Sequence, residues 1–389
     1  MPNFHTKNLE LPNFPATFGE SEFLLQAISK RDDRLVMCRC RGVELLIKIH
    51  QTKDGFLVKG DKITRPSNVA ILQQALRDFR DWTNSKPFYS NIDSKKQKNL
   101  KHSPYLKDMN YFANEFKTDL EILVEVGFGS GRHLLYQAIK NPHTLVIGIE
   151  IHKPSIAQVL KQCELQNITN ILVVDYDART FLEFLKSNSV RAIFVHFPVP
   201  WDKKPHRRVI SDAFISESKR VLQVGGTLEL RTDSDNYFFY SFEEFLKQSR
   251  VELKIHKNRD LEISSKYEDR WKRLEKNIYD IIMTNQEFSK DVESVKTLKF
   301  EKRLDFRRVK DNFKEITMSF DGFFVHLERI YTIKENEGLI RVSFGSSHRN
   351  EHSYVYITQE GVSYMPNNIL ATKDNLNAHK IIEDLLWNM

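Results

Sequence analysis

Glu125-Val126-Gly127-Phe128-Gly129-Ser130-Gly131 decides how this chain is read. It follows the apolar run Ile122-Leu123-Val124 and precedes a helix-like segment over 132–140. Strand, glycine loop and helix in that order open an α/β nucleotide-binding unit. The carboxylate just before the first glycine narrows the choice of nucleotide. A loop that cradles a pyrophosphate offers backbone N–H groups and a helix N-terminus to an anion, and a glutamate there would repel it. A cationic ligand would be attracted, and S-adenosylmethionine carries both a sulfonium and an ammonium. The third glycine also comes one residue too early for the dinucleotide fingerprint. The loop therefore reads as an S-adenosylmethionine site rather than a NAD or ATP site.

The chain around it has 389 residues, enough for two or three domains, with 40% apolar and 29% charged residues. The net charge of +7 points weakly to a polyanionic partner. No run approaches the ~18 apolar residues of a membrane span, and Met1-Pro2-Asn3-Phe4-His5 opens no signal core. These features predict a cytoplasmic protein that uses no membrane. Three cysteines make a disulfide framework a poor expectation, and Cys38 and Cys40, on one face of an expected strand, read as core. No spacing of Cys or His suggests a metal site.

Three regions are expected. Residues 1–114 read as a β-rich extension with strands near 35–40, 43–50 and 56–58, one helix opening at Ser67, and a basic linker holding Lys95, Lys96, Lys98 and Lys101. Residues 115–290 alternate strands (122–126, 145–150, 171–174, 192–197, 227–231) with helices (132–140, 155–164, 180–186, 212–221), which implies a mostly parallel sheet covered on both faces. Residues 291–389 read as a C-terminal α+β region of strands near 316–320, 323–327, 340–344 and 354–358 with a closing helix near 375–387. No fixed-period repeat is visible.

Ligands of such sheets bind beyond the carboxyl ends of the strands, and the informative polar residues fall there. Glu150 ends the second strand, 23 positions past Gly127, near where a carboxylate accepts ribose hydroxyls; the bland reading is a surface glutamate. Asp177 follows the third strand and suits an adenine amino group, with Asp175 as a competitor and a helix N-cap as the alternative. The fourth strand ends in Phe197-Pro198-Val199-Pro200-Trp201, a stiff aromatic turn, and runs into Asp202-Lys203-Lys204-Pro205-His206-Arg207-Arg208. That pairing suits base stacking and phosphate contact, or a solvated basic loop. Asp233 closes the fifth strand and can accept from a guanine edge, or join Ser234 and Asp235 in capping the next helix.

Taken in order, these residues resemble the bacterial tRNA (guanine-N7)-methyltransferases. The resemblance rests on Glu125 to Gly129, Gly148-Ile149-Glu150-Ile151-His152-Lys153-Pro154, Asp177-Ala178, Phe197-Pro198-x-Pro200-Trp201 with Lys203 and His206, Thr232-Asp233, and Ser265-Lys266-Tyr267-Glu268 followed by Arg270-Trp271. It covers the middle region only. It implies a Rossmann-like class I methyltransferase sheet that moves the methyl group of S-adenosylmethionine to N7 of a variable-loop guanine of tRNA, guanine 46. Carried over by position, Glu125, Gly127, Gly129, Glu150 and Asp177 contact the donor. Lys203, Asp233, Ser265 and Glu268 contact the substrate, with serine at 265 where the family has threonine. Two departures stand out. Val199 occupies the place of a family aspartate regarded as catalytic or donor-facing, and Pro205 stands where an arginine is common. Guanine N7 has a lone pair and no proton, so its methylation needs positioning rather than a base. Asp233 or Glu268 is then the expected carboxylate that steadies the cationic product. Two other readings compete: a catalytically impaired tRNA-binding protein that keeps the fold, and a small-molecule methyltransferase.

Overall fold

The structure, a computed structural model, describes residues 1–66, 68–93, 103–263, 268, 273–292, 297–346, 350–366 and 369–389. Two compact units result: Leu100–Lys296, and a second composed of Met1–Asn99 together with Thr297–Met389. The flanking regions that the sequence separates at 114 and 291 thus share one unit.

The Leu100–Lys296 unit is built on strands β1 (Ile122–Val126), β2 (Leu145–Glu150), β3 (Ile171–Asp175), β4 (Val190–His196), β5 (Leu222–Thr232), β6 (Val251–Lys257) and β7 (Tyr279–Asn285). With the two-residue strand Leu106–Lys107 they form an eight-stranded sheet in the order β6-β7-β5-β4-β1-β2-β3-(106–107). Pairing from β5 through β3 is parallel, and β7 inserts antiparallel between β5 and β6. β1 is buried at every position, as a central strand covered on both faces must be. The helices between the strands are α1 (Arg132–Lys140), α2 (Lys153–Gln166), α3 (Ala178–Phe181), α4 (Asp212–Val221) and α5 (Asp235–Leu246). α3 is one turn, followed by a 3-10 turn at Leu182–Phe184, where the sequence predicts a longer helix over 180–186. Asp177 caps α3 and so starts it earlier. Leu134, Ile156, Val159 and Leu160 from α1 and α2 pack with Leu123, Val146 and Ile171 in the core on one face. Chain order reverses between β1 and β4, and this switch point places the crevice.

The other unit is a twelve-stranded sheet. Its two halves share one topology. In the first, Ala16–Phe18 pairs with Ser21–Ser29, which begins a meander through Arg34–Cys40, Val43–Thr52 and Gly55–Gly60 before the helix Val69–Trp82. In the second, Ile316–Ser319 pairs with Phe323–Lys334, which begins a meander through Glu337–Ser346, Asn350–Ile357 and Val362–Met365 before the helix Lys373–Asn388. The repeat lies in strand order and not in any sequence period. The halves join where Tyr331 pairs with Ser29 and Thr332 with Ile28. Leu72, Leu76 and Phe79 of the first helix are fully buried on that half of the sheet, each worth about 1.5–3 kcal/mol of apolar burial. Cys38 and Cys40 sit in the same core. Asn68 caps this helix; Ser67, its expected start, and Lys95, Lys96, Lys98 and Lys101 lie outside the described residues. No helix among the described residues is long and apolar enough to cross a membrane.

Candidate active site

Two loops leave the sheet side by side at the switch point: the glycine loop after β1 and the turn 197–201 after β4. Gly127 and Gly129 adopt φ of +67° and +51°, which side-chain-bearing residues rarely take. A methyl group on Gly127 would meet nothing within 4 Å, so the outer surface of the loop admits a ligand to the backbone. Gly131 serves packing instead, because a methyl group there would strike Val159 and push α1 away from α2.

Glu125 is 4% exposed, and its Oε2 lies 3.0 Å from Nδ1 of His133 in the first turn of α1. Burial opposes a charge on His133, but the charge and hydrogen bond of Glu125 outweigh it and raise the imidazole pKa. An acidic group in a dry position beside an open glycine loop suits a cationic ligand. Glu150 works on the same loop from β2. Its Oε2 accepts the Gly129 N–H at 2.9 Å, and its Oε1 accepts the N–H groups of Ile151 and His152 at 2.8 and 2.9 Å. These three bonds leave room for a further donor on a carboxylate with about four acceptor sites. Asp177 is the N-cap of α3 and also holds the Arg179 guanidinium at 2.6–3.0 Å.

The turn after β4 is bracketed by Phe197 and Trp201, both at positive φ (+50° and +48°), a costly backbone for bulky residues. Val199 between the two prolines is 62% exposed and supplies no carboxylate. In the basic loop, Arg208 is buried: its Nε donates to the Pro200 carbonyl at 2.8 Å and its guanidinium covers the Tyr240 ring at 4.5 Å. Lys203, Lys204, His206 and Arg207 are exposed, and Arg207 lies 5.2 Å over the Trp201 ring. Arg208 thus fixes the loop and leaves the other cations to solvent.

Asp233 follows β5 and is partly exposed, with Lys276 Nζ donating to its Oδ2 at 3.0 Å. Ser234, not Asp233, caps α5. Glu268 is 1% exposed, and Arg231 donates to its Oε1 at 2.9 Å. The fold therefore places Glu268 beneath the surface, against Arg231, and Asp233 at the surface. Ser265, with Lys266, Tyr267, Arg270 and Trp271, lies outside the described residues.

Sequence reasoning missed the buried charges that join these groups. Arg231 is fully buried and also donates to Asp280 at 2.6 Å, while Arg259 reaches both Asp280 (3.1 Å) and Glu229 (3.3 Å). His196 meets Glu229 at 3.1 Å, and its ring lies 4.5 Å from that of His133. Burial disfavours the Glu229 carboxylate, yet His196, Arg259 and His133 outweigh it and hold its pKa at about 2. Asp280 goes the other way: burial is the larger influence and raises its pKa despite Arg231 and Arg259. The signal was present in Glu229 and Arg231, charges alternating with Leu228 and Leu230 on an interior strand.

A family model described as "Putative methyltransferase" matches residues 119–281. A tRNA (guanine-N(7)-)-methyltransferase of Campylobacter jejuni is 39% identical over 392 aligned residues, covering 99% of this chain and 98% of that protein. The chain belongs to the tRNA (guanine-N7)-methyltransferase family. Another member, from Wolinella succinogenes, is 41% identical and covers 99% of this chain and 100% of its own length. Family membership therefore extends through the twelve-stranded unit: these relatives align with it too, although the motifs that carry the resemblance lie only in the middle region. Among solved structures, an rRNA methylase from Streptococcus thermophilus aligns over 46% of this chain and 95% of its own at 13% identity, with a TM-score of 0.31.

Proposed function

We propose that this chain methylates tRNA at N7 of a guanine, guanine 46 of the variable loop, with S-adenosylmethionine as donor. The observation that carries the reading is the open glycine loop with a buried acid at its root, in a chain of this family. When bound, the donor supplies a sulfonium-activated methyl group: the N7 lone pair forms the new N–C bond as the C–S bond breaks, its electron pair stays on sulfur, the base gains the positive charge, and no proton moves.

The protein's part is placement and charge. Gly127 and Gly129 let the donor lie against backbone, and Glu125 attracts its cationic end. Glu150 fixes the loop and keeps acceptor capacity for ribose hydroxyls, and Asp177, which also caps α3, is kept as the adenine contact on the resemblance. Holding the base in line with the methyl group supplies roughly 7–11 kcal/mol of barrier reduction when the geometry is good. Of the two carboxylates expected to steady the cationic base, exposure favours Asp233, which Lys276 holds until substrate arrives. Glu268 acts through Arg231 and so positions the site, while Lys203 faces the RNA backbone. Ser265 is kept as a substrate contact on the resemblance alone.

The test is incubation with labelled methyl donor and unmodified tRNA, followed by chemical cleavage at N7-methylguanine. Label at guanine 46 is the expected result. Label elsewhere, or on a small molecule only, overturns the substrate. Tight donor binding without transfer would favour the impaired RNA-binding alternative.

A further inference from the structure

On the side of the twelve-stranded sheet away from the helix Val69–Trp82, Leu35, Met37 and Leu46 are buried with Tyr331 and Leu339, and the strands nearest the edge Pro87–Ser90 turn other residues to that side. In the first half of the sheet, the helix Val69–Trp82 lies on Phe4, Ile47, Ile49 and Val58. Alternation along the strands turns Asn3 and His5, Leu57 and Lys59, Lys48 and His50 to the opposite side. Cross-strand register places them in two rows: Tyr89, His5, Leu57 and His50 in one, Asn3, Lys59 and Lys48 in the next.

The edge strand Pro87–Ser90 departs from regular pairing here. The register slips between His5 and Thr6, so Phe88 is an extra residue beside Tyr89. Both rings thereby lie against one imidazole, 5.8 Å and 5.5 Å from the His5 ring. Phe88 is 54% and Tyr89 52% exposed, and with Asn3 and His5 they line a shallow recess of about 500 Å³. One strand away, Lys59 is crowded: burial and then the charges of Lys48 and Lys62 lower its pKa, with Asp61 pulling the other way. Lys48 is largely buried and is paired with Asp33 at 3.6 Å. Flat, half-exposed rings with a lysine one strand away match what an unpaired stretch of RNA presents, bases with π-faces joined by phosphates.

We propose that this face, with Phe88, Tyr89 and His5 as a stacking platform and Lys59 as a phosphate contact, binds unpaired nucleotides of the substrate RNA. The proposal rests on the tRNA reading above and adds a second contact surface, in the unit that does not carry the donor loop.

The experiment compares wild type with Phe88→Ala/Tyr89→Ala, Lys59→Ala and, as the conservative control, Tyr89→Phe. Each is measured for KM and kcat on unmodified tRNA, for donor affinity by calorimetry, and for binding of an unstructured oligoribonucleotide by fluorescence anisotropy across a salt series. The double variant is expected to weaken oligonucleotide binding and raise KM at least about fivefold, with kcat and donor affinity unchanged. Lys59→Ala should lower the log–log salt slope by about 0.7, and Tyr89→Phe should behave as wild type. Unchanged KM and oligonucleotide binding in folded variants overturn the proposal. So does a double variant that turns a dimeric wild type monomeric while RNA binding stays intact. Failure of wild type to methylate tRNA would instead sink the activity reading, since anisotropy reports on this face independently.

Discussion

Arg231→Met should be the most damaging single substitution in the methyltransferase unit, and the reason is electrostatic. Arg231 is fully buried, and its guanidinium faces Asp280 at 2.6 Å and Glu268 at 2.9 Å, both also buried. Removing one partner of a buried ion pair strands the other charge and typically costs 3–5 kcal/mol. Two carboxylates are stranded here, although Arg259 at 3.1 Å still serves Asp280, so a loss of about 4 kcal/mol is expected. Glu268→Gln removes only one charge and keeps a hydrogen-bond acceptor, so about 1.5–3 kcal/mol is expected. The double variant should fall short of the sum by about 1–3 kcal/mol, because Arg231→Met no longer strands Glu268. The pH dependence carries a distinct sign. Asp280 already has a raised pKa, led by burial, and losing Arg231 raises it further. A carboxyl whose folded pKa exceeds its unfolded value near 3.9 favours the folded state when protonated, so stability falls as pH rises from there toward the folded value. Arg231→Met should therefore be relatively rescued by acid. Native-state hydrogen exchange of β5 and β7 amides, with and without each substitution, reads these numbers for this unit alone. An Arg231→Met loss below about 0.5 kcal/mol, the range of inert surface changes, would refute the buried-network account. A Glu268→Gln enzyme of normal stability but roughly 10²-fold slower turnover would show that Glu268 touches the base.

Asp233→Asn should slow transfer by roughly 10²-fold while donor affinity by calorimetry stays the same; near wild-type turnover would remove Asp233 from the site. Lys203→Ala, at an exposed position, should lower the salt slope of tRNA binding by about 1 with stability within about 0.5 kcal/mol of wild type; an unchanged slope means Lys203 faces no phosphate. His133 has a raised pKa in the fold: burial pulls it down, and Glu125 more than reverses this. Its contribution is therefore complete below about pH 6.5 and disappears as pH rises through the folded value. His133→Gln should abolish that part of the decline, and melting at pH 6 and pH 9 would expose a variant whose profile matches wild type.

The parallel sheet was legible because local signals agreed: apolar strands of central type, a glycine loop, and helices of the right period at 132–140 and 212–221 lie where the sequence places them. The flanking unit was harder. Ser21–Ser29 is a strand of mixed polarity whose burial comes from partners on either side, Arg34–Cys40 and Phe323–Lys334, the latter about 300 residues away in sequence. No local pattern contains that pairing, and the repeat it centres is one of topology. The candidate site divides the same way. Glu125, Glu150 and Asp177 could be named from their place after strands, but their actual partners, His133, the Gly129 N–H and Arg179, come from loops and helices whose approach is set by packing. Glu268 was legible as a motif member and illegible as a buried group, because its depth depends on Arg231 and Asp280 across two strands.

Val199 stands where the resemblance implies an aspartate, which raises the question of which carboxylate faces the base. The candidates at this end of the sheet can be ranked by what already holds them. Asp202 is tied to the Arg208 guanidinium at 3.3 Å, and Arg208 in turn holds the Pro200 carbonyl, so moving Asp202 would loosen the turn that frames the site. Glu229 is committed to His196 and Arg259 and stays ionised down to about pH 2 because of them. Glu268 is sealed against Arg231. Asp233 is held, among the described residues, by the half-exposed Lys276, and a lysine pair near the surface is worth only about 0–1 kcal/mol. A guanine edge offering two N–H donors can displace that ammonium at little cost on binding, and the freed carboxylate then faces the base when methyl transfer makes it cationic. If Lys276→Met leaves KM for tRNA unchanged or raises it, the exchange is not part of binding; an affinity gain that vanishes in the Asp233→Asn background is what this order of events requires.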